Sequence, residues 1–123
     1  MKKFEHEKLE VYRVSIDFVA LVDEIVQNLP NDRAYLIEQL QKTSVSITLN
    51  IAEGAEEFSK SEKIHFYRMA KRSATECAAL IDACLTSKLI SDAHFETGRD
   101  LLFEIVSMLT KLINRFEERN LKN

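Results

Sequence analysis

Hydrophobic residues recur at intervals of three and four along almost the whole chain, which is the spacing of α-helices that each bury one face. Pro30 interrupts the pattern after the first stretch, the residues after Gly54 interrupt it again, and residues 87–91 form the third break. The pattern predicts four helices in a single domain, residues 1–123. Their approximate bounds are 9–28, 33–56, 61–86 and 92–119.

The first predicted helix is apolar over more than half of its circumference. One apolar line has the spacing of a bundle stripe and consists of Leu9, Tyr12, Ile16, Val19 and Val26. A second line consists of Val11, Val14, Phe18, Val22 and Ile25. Because a helix in a monomeric bundle buries one stripe, we interpret the second line as an interface with another copy of the chain. The alternative is that neighbouring helices of the same bundle cover both lines.

The second predicted helix carries a polar strip away from its apolar stripe. The strip has helical spacing and consists of Gln39, Lys42, Ser46, Asn50 and Glu53. Two interpretations stay open. The strip is either an ordinary solvated face or a hydrogen-bonding surface that meets another subunit or a ligand.

Composition narrows the fold class. The chain has two Gly and one Pro in 123 residues, too few for the turns of a β-sandwich or barrel or for a Gly-rich nucleotide loop. The two cysteines, Cys77 and Cys84, fall on the apolar stripe of the third helix, so we expect buried thiols in a reducing compartment. With an acidic start and no long apolar run, the sequence predicts a soluble, cytoplasmic protein without membrane contact.

The formal net charge is −3, yet basic residues cluster at the start of the third helix. Between residues 60 and 72 one acid, Glu62, accompanies five basic residues: Lys60, Lys63, Arg68, Lys71 and Arg72. At 100° per residue, the last three project away from the apolar stripe. The cluster is therefore either a phosphate-binding patch or a solvated face whose charges are paired with nearby acids.

Motifs that would support catalysis are missing from the sequence. Glu62 and His65 have the spacing of half a di-iron site, but no second Glu-x-x-His pair exists. We find no phosphate-binding loop, nucleophile elbow or pairing of Cys with His. We therefore expect no catalytic residues, no metal, no cofactor and no enzyme activity.

A resemblance to a known family rests on residues 46–54, which read SITLNIAEG. They resemble the S-I-x-x-N-I-A-E-G signature of the four-helix-bundle proteins encoded in 23S rRNA intervening sequences. The matching residues are Ser46, Ile47, Asn50, Ile51, Ala52, Glu53 and Gly54. Residues 9–12, 29–30 and 66–76 also resemble the family, so the resemblance spans nearly the whole chain.

The resemblance implies an antiparallel up-down-up-down four-helix bundle that assembles into a homo-oligomeric ring, with a pentamer favoured. A related branch, the accessory proteins of diversity-generating retroelements, shares the ring and is linked to nucleic acid and a reverse transcriptase. This chain departs from the family pattern by having Gln41 before Lys42, Thr48-Leu49 inside the signature, and Glu56-Glu57 after it. The first and last of these departures remove or oppose positive charge.

The sequence therefore predicts a non-enzymatic, homo-oligomeric helical bundle of bacterial type that binds RNA or a ribonucleoprotein weakly. The predicted contacts are Lys42 and the five basic residues of the third helix. The expected partners are other copies of the chain and RNA or a nucleic-acid-processing protein. The alternative is a protein-binding scaffold with no nucleic-acid role.

Overall fold

The computed structural model describes residues 1–122, with the side chains of residues 1–118. Within that part of the chain there are four α-helices and no strand: α1 (Glu10–Gln27), α2 (Ala34–Glu56), α3 (Lys60–Thr86) and α4 (Asp92–Lys122). Short 3₁₀ turns cover Glu5–Lys8 and Asn31–Arg33. The prediction of an all-α protein with four helices is confirmed. No helix in the described residues combines the length and the apolar character needed to cross a membrane.

Local interactions fix the ends of the helices. The Ser59 hydroxyl accepts a hydrogen bond from the backbone N–H of Glu62 at 3.1 Å, which caps the start of α3. The Ser91 hydroxyl accepts one from the N–H of His94 at 3.0 Å before α4. At the end of α3, Lys88 adopts a φ of 59°, and the N–H of Leu89 donates to the carbonyl of Cys84 at 2.8 Å. This arrangement is a Schellman motif with Lys at the position that usually holds Gly.

Each helix packs against two others. α1 and α3 both contact α2 and α4. The ring of Tyr67, near the start of α3, lies against Gly54, near the end of α2, and its centroid is 6.2 Å from that of Phe116 in the last part of α4. At the other end of the bundle, His94 of α4 lies 3.6 Å from the carboxylate of Glu24 in α1.

The structure corrects the assignment of the two apolar lines on α1. The second line, which we predicted as the interface between copies, is at most 2% exposed within a single chain: Val11, Val14, Phe18, Val22 and Ile25. These side chains fill the core and are not available to a second copy. The other line is the more exposed one, because Ile16 is 42% exposed and Tyr12 and Val19 are half-buried. The helical period of α1 was predicted correctly. Because both apolar lines have that period, the pattern could not show which line faces the core and which faces solvent.

Buried polar groups are paired. The Ser15 hydroxyl is fully buried, donates to the carbonyl of Tyr12 at 2.6 Å and accepts from the Thr48 hydroxyl at 3.1 Å. This contact joins the middle of α1 to the middle of α2. In the part of the chain with described side chains, no buried side-chain nitrogen or oxygen atom lacks a hydrogen-bond partner. The polar residues at these positions therefore incur no desolvation penalty from an unmade hydrogen bond.

Candidate functional site

The polar strip of α2 borders a groove of about 270 Å³ between α2 and α3, here called the α2–α3 groove. Residues from both helices line it: Gln39, Lys42, Thr43, Ser46, Asn50, Met69, Arg72, Ser73 and Glu76. Of the five strip residues, Glu53 alone is not among them. The strip is therefore partly buried against α3 of the same chain rather than being a fully solvated face.

A hydrogen-bond network fixes the floor of the groove. The hydroxyls of Ser46 and Ser73 share a hydrogen bond of 3.0 Å across the two helices. The Asn50 amide donates to the Ser46 carbonyl at 2.9 Å and lies 3.2 Å from the Ser46 hydroxyl. Because these groups hold one another, they present hydroxyl and amide groups to the groove in a fixed arrangement.

Lys42 and Arg72 bring two positive charges to this groove from different helices. Both residues are exposed, and neither forms an ion pair among the described side chains. Glu76 adds one carboxylate to the lining. Two cations beside hydroxyl and amide groups can bind an anionic oxygen together with neighbouring hydrogen-bonding groups.

Two other basic residues of α3 are held by contacts outside this groove. The Lys63 ammonium donates to the carbonyls of Gly54 and Ala55 at 3.1 and 3.0 Å, so it caps the end of α2. It also lies 5.9 Å from the centroid of the Phe116 ring. Arg68 forms an ion pair with Glu117 of α4. These two cations hold helices together, while Lys60 and Lys71 are half-buried and have no ion pair among the described side chains.

Some of the family-signature residues lie in the groove, others lie in the core, and Glu53 is exposed outside both. Ser46 and Asn50 belong to the groove, whereas Ile51 is fully buried. Gly54 is also buried, and a Cβ added there would lie 2.6 Å from Cε1 of Tyr67. Gly54 lies within the last turn of α2 without a positive φ, and its small size allows the close approach of Tyr67.

The two thiols lie in the core, away from the groove lining. Cys77 and Cys84 are free and fully buried, as the sequence predicted. Burial raises the pKa of Cys77 to about 12, with a smaller contribution from the nearby Glu76 carboxylate. Burial also raises the pKa of Cys84. At neutral pH both are therefore protonated thiols and poor nucleophiles.

The contribution of α3 to the groove was not predicted from the sequence. Met69, Arg72, Ser73 and Glu76 share one helical face, and their spacing was available as a signal. The sequence pattern grouped Arg72 with its charged neighbours along the chain. It did not pair Arg72 with Lys42, which is 30 positions away but lines the same groove.

The fold and the groove place this chain among small helical-bundle proteins with a polar groove between neighbouring helices. Residues 7–111 match the family of 23S rRNA-intervening sequence proteins, and the chain belongs to that family. The resemblance drawn from residues 46–54 and their flanks is thereby confirmed.

A solved structure shares the fold. It is the crystal structure of a protein of unknown function from the S23 ribosomal protein family of Bacteroides thetaiotaomicron VPI-5482. The TM-score is 0.78 at 21% sequence identity, over 85% of this chain and 95% of the other. Comparison with curated proteins gave no significant match.

Proposed function

We propose that this protein is a non-enzymatic, homo-oligomeric bundle that binds RNA or a ribonucleoprotein weakly through the α2–α3 groove. The observation that carries the proposal is the meeting of Lys42 and Arg72 across a floor of fixed hydroxyl and amide groups. Phosphate oxygens are bound by Lys and Arg, and ribose hydroxyls exchange hydrogen bonds with Ser, Asn and Gln side chains.

Fewer Lys and Arg side chains are available to bind phosphate than the sequence predicted. Lys63 and Arg68 have structural partners, which leaves Lys42, Lys60, Lys71 and Arg72 for phosphate. A few contacts give weak binding that falls steeply as salt rises, because each bound phosphate releases condensed counterions. This is the expected behaviour of one subunit.

We further propose the antiparallel up-down-up-down arrangement, which is supported by contacts between the end of one helix and the start of the next, such as Gly54 with Tyr67. In this arrangement the net negative charge concentrates at one end, because most of the Lys and Arg residues lie at the other. Residues 19–44 and 73–105, which form this end, contain ten carboxylates and four Lys or Arg residues. The other residues up to 118 contain ten carboxylates and eleven Lys or Arg residues. The net acidity of the chain then lies away from Lys60 and Lys71, and the α2–α3 groove lies at the border.

Self-association is proposed through an apolar surface beside the Ser15–Thr48 contact. Ile16 of α1 and Val45 and Leu49 of α2 are 42%, 41% and 59% exposed. Burying such side chains between copies removes apolar surface from water. A ring, for which we favour five subunits, repeats the groove in every copy, so that weak contacts act together.

The absence of enzyme activity is part of the proposal. The groove lining contains no His or Cys among the described residues, and the high pKa of Cys77 argues against thiol chemistry there. The groove side chains are suited to binding and offer no nucleophile paired with a base.

The test is a titration of structured RNA at low salt with wild type, the double variant Lys42→Glu/Arg72→Glu, and a control. Arg33→Glu/Lys88→Glu is the matched control, since it makes the same change in charge at exposed positions in the acidic half. We expect the groove variant to lose binding and the control to retain it. Equal loss in both variants would mean that net charge rather than the groove determines binding.

A protein-binding scaffold is the second candidate. The observation in its favour is that exposed Val45 and Leu49 lie directly beside the groove, which also contains the carboxylate of Glu76. If wild type does not bind structured RNA even at low salt, the RNA proposal is wrong and the scaffold becomes the better account.

A further inference from the structure

A second groove lies on a different side of the bundle, between the start of α1 and the last part of α4. This α1–α4 groove has a volume of about 370 Å³. Its lining combines three cations, one carboxylate and four apolar residues: Lys8, Leu9, Glu10, Val11, Met108, Lys111, Leu112 and Arg115. None of these residues belongs to the α2–α3 groove.

The charge at this groove is positive and available. Lys111 and Arg115 are one helical turn apart on α4, both are exposed, and neither forms an ion pair among the described side chains. Lys8 pairs with Glu5 at 2.9 Å, but both side chains are more than half exposed, so this pair contributes little and the ammonium can turn to a ligand. Glu10 is already bound by Arg13 at 3.3 Å.

The floor of the groove is apolar. Val11 is buried, and Leu9, Met108 and Leu112 are half-buried. Three cations around such a floor match a ligand that carries both concentrated negative charge and a flat apolar group. A terminal phosphate monoester carries close to two negative charges at neutral pH, which suits this cluster better than the single charge of an internal phosphodiester.

We propose that the α1–α4 groove binds a nucleoside 5′-monophosphate group, either free or at the 5′ end of an RNA. The cations hold the phosphate, and the base lies on the apolar floor. Met108 favours an aromatic ring over an alkyl chain, because a thioether makes favourable contacts with aromatic edges. The Arg115 guanidinium can stack on the base as well as bind phosphate. The volume is near the lower end for small-ligand pockets, which suits one nucleotide.

Calorimetric titration at low salt with adenosine 5′-monophosphate, adenosine and ribose 5-phosphate tests the free-nucleotide form. Adenosine lacks the charge and ribose 5-phosphate lacks the base, so each should bind at least about tenfold more weakly than the complete nucleotide. The variant Lys111→Gln/Arg115→Gln should lose the preference for the phosphorylated ligand. Since both residues are exposed, it should retain its thermal stability. Failure of the nucleotide to bind, or unchanged binding by the variant, would overturn the inference.

The RNA form rests on the proposed function and has its own test. Two RNAs that differ only in a 5′-phosphate or a 5′-hydroxyl should differ in affinity for wild type and not for Lys111→Gln/Arg115→Gln. Equal affinity for wild type would exclude recognition of the RNA end. Lys42→Glu/Arg72→Glu should keep its affinity for the free nucleotide. The proposal for the α2–α3 groove and the proposal for the α1–α4 groove can therefore be refuted independently.

Discussion

Replacing Gly54 with Ala should destabilise the protein, although Ala is the better helix former. The added Cβ would lie 2.6 and 2.8 Å from Cε1 and Cδ1 of Tyr67 and 3.2 Å from Cζ. Helix and ring must then separate by about 0.8 Å to reach ordinary van der Waals contact at 3.4 Å. Tyr67 has little room to move, since it is only 2% exposed and packs against Phe116.

The magnitude follows from two opposing effects. Ala in place of Gly stabilises a helix by about 1 kcal/mol, because it restricts the unfolded chain. Overpacking a rigid core costs about 1–3 kcal/mol, and the short contacts with an immobile ring place Gly54 at the upper end. We therefore expect a net loss of about 2 kcal/mol, or a melting temperature lower by roughly 8 °C for a chain of this length.

Gly98 provides a matched control in α4. A Cβ there would lie 3.3 Å from Cδ1 of Ile81 and 3.3 Å from Cδ2 of Leu21, which are the ends of flexible side chains. Gly98→Ala should thus be neutral or stabilising by up to about 1 kcal/mol. Both variants are compared by urea and thermal unfolding at one protein concentration, because stability depends on concentration in an oligomer.

A double-mutant cycle isolates the contact with the ring. Tyr67→Leu removes the atoms that the new Cβ would meet, so Gly54→Ala should be neutral or stabilising in that background. If the two substitutions add, or if Gly54→Ala alone is as stable as wild type, the steric argument is wrong.

Three further predictions concern the ends of α3, the core thiols and the exposed apolar surface. Lys88→Gly should stabilise the protein by about 1 kcal/mol in thermal unfolding, since Lys88 has a φ of 59° that Gly adopts without strain; an unchanged melting temperature would contradict this. Cys77 and Cys84 should resist a thiol reagent until the protein unfolds, and rapid labelling of the native protein would contradict their burial. Light scattering should give several times 14.2 kDa for wild type. The exposed-surface variant Ile16→Glu/Leu49→Glu should lower that mass while the helices stay folded. The core variant Phe18→Glu/Val22→Glu should instead unfold the chain. A wild-type monomer at micromolar concentration would refute self-association.

The helices could be predicted from the sequence because their signals are local. Pro30, Ser59 and Ser91 act on the backbone within a few residues, and the apolar period extends over several turns in each helix. The choice between the two apolar lines of α1 is not local. It depends on which side of α1 meets α2 and α4, and a residue such as Ser15 identifies that side only through its hydrogen bond with Thr48, 33 positions away.

Only part of the candidate site could be predicted, because the rest depends on contacts between residues that are far apart in the sequence. The polar strip of α2 was visible from its spacing, but its partner face on α3 was not, because Ser73 and Arg72 meet Ser46 and Lys42 only in the folded chain. Two adjacent aromatic residues stand near the start of α3, and the folded chain buries Tyr67 while Phe66 stays half-buried. Neighbouring aromatic residues look alike to a pattern analysis, and Gly54 determines which of them fits.

The basic cluster of α3 shows why charge along a sequence is a poor guide to charge available to a ligand. Lys63 and Arg68 have the same formal charge as Arg72, yet one is bound to the carbonyls at the end of α2 and the other to Glu117. Lys111 and Arg115 stand apart from the cluster in sequence but have no ion pair among the described side chains. Phosphate binding depends on cations that are not already engaged, so the two grooves are better candidates than the densest run of Lys and Arg.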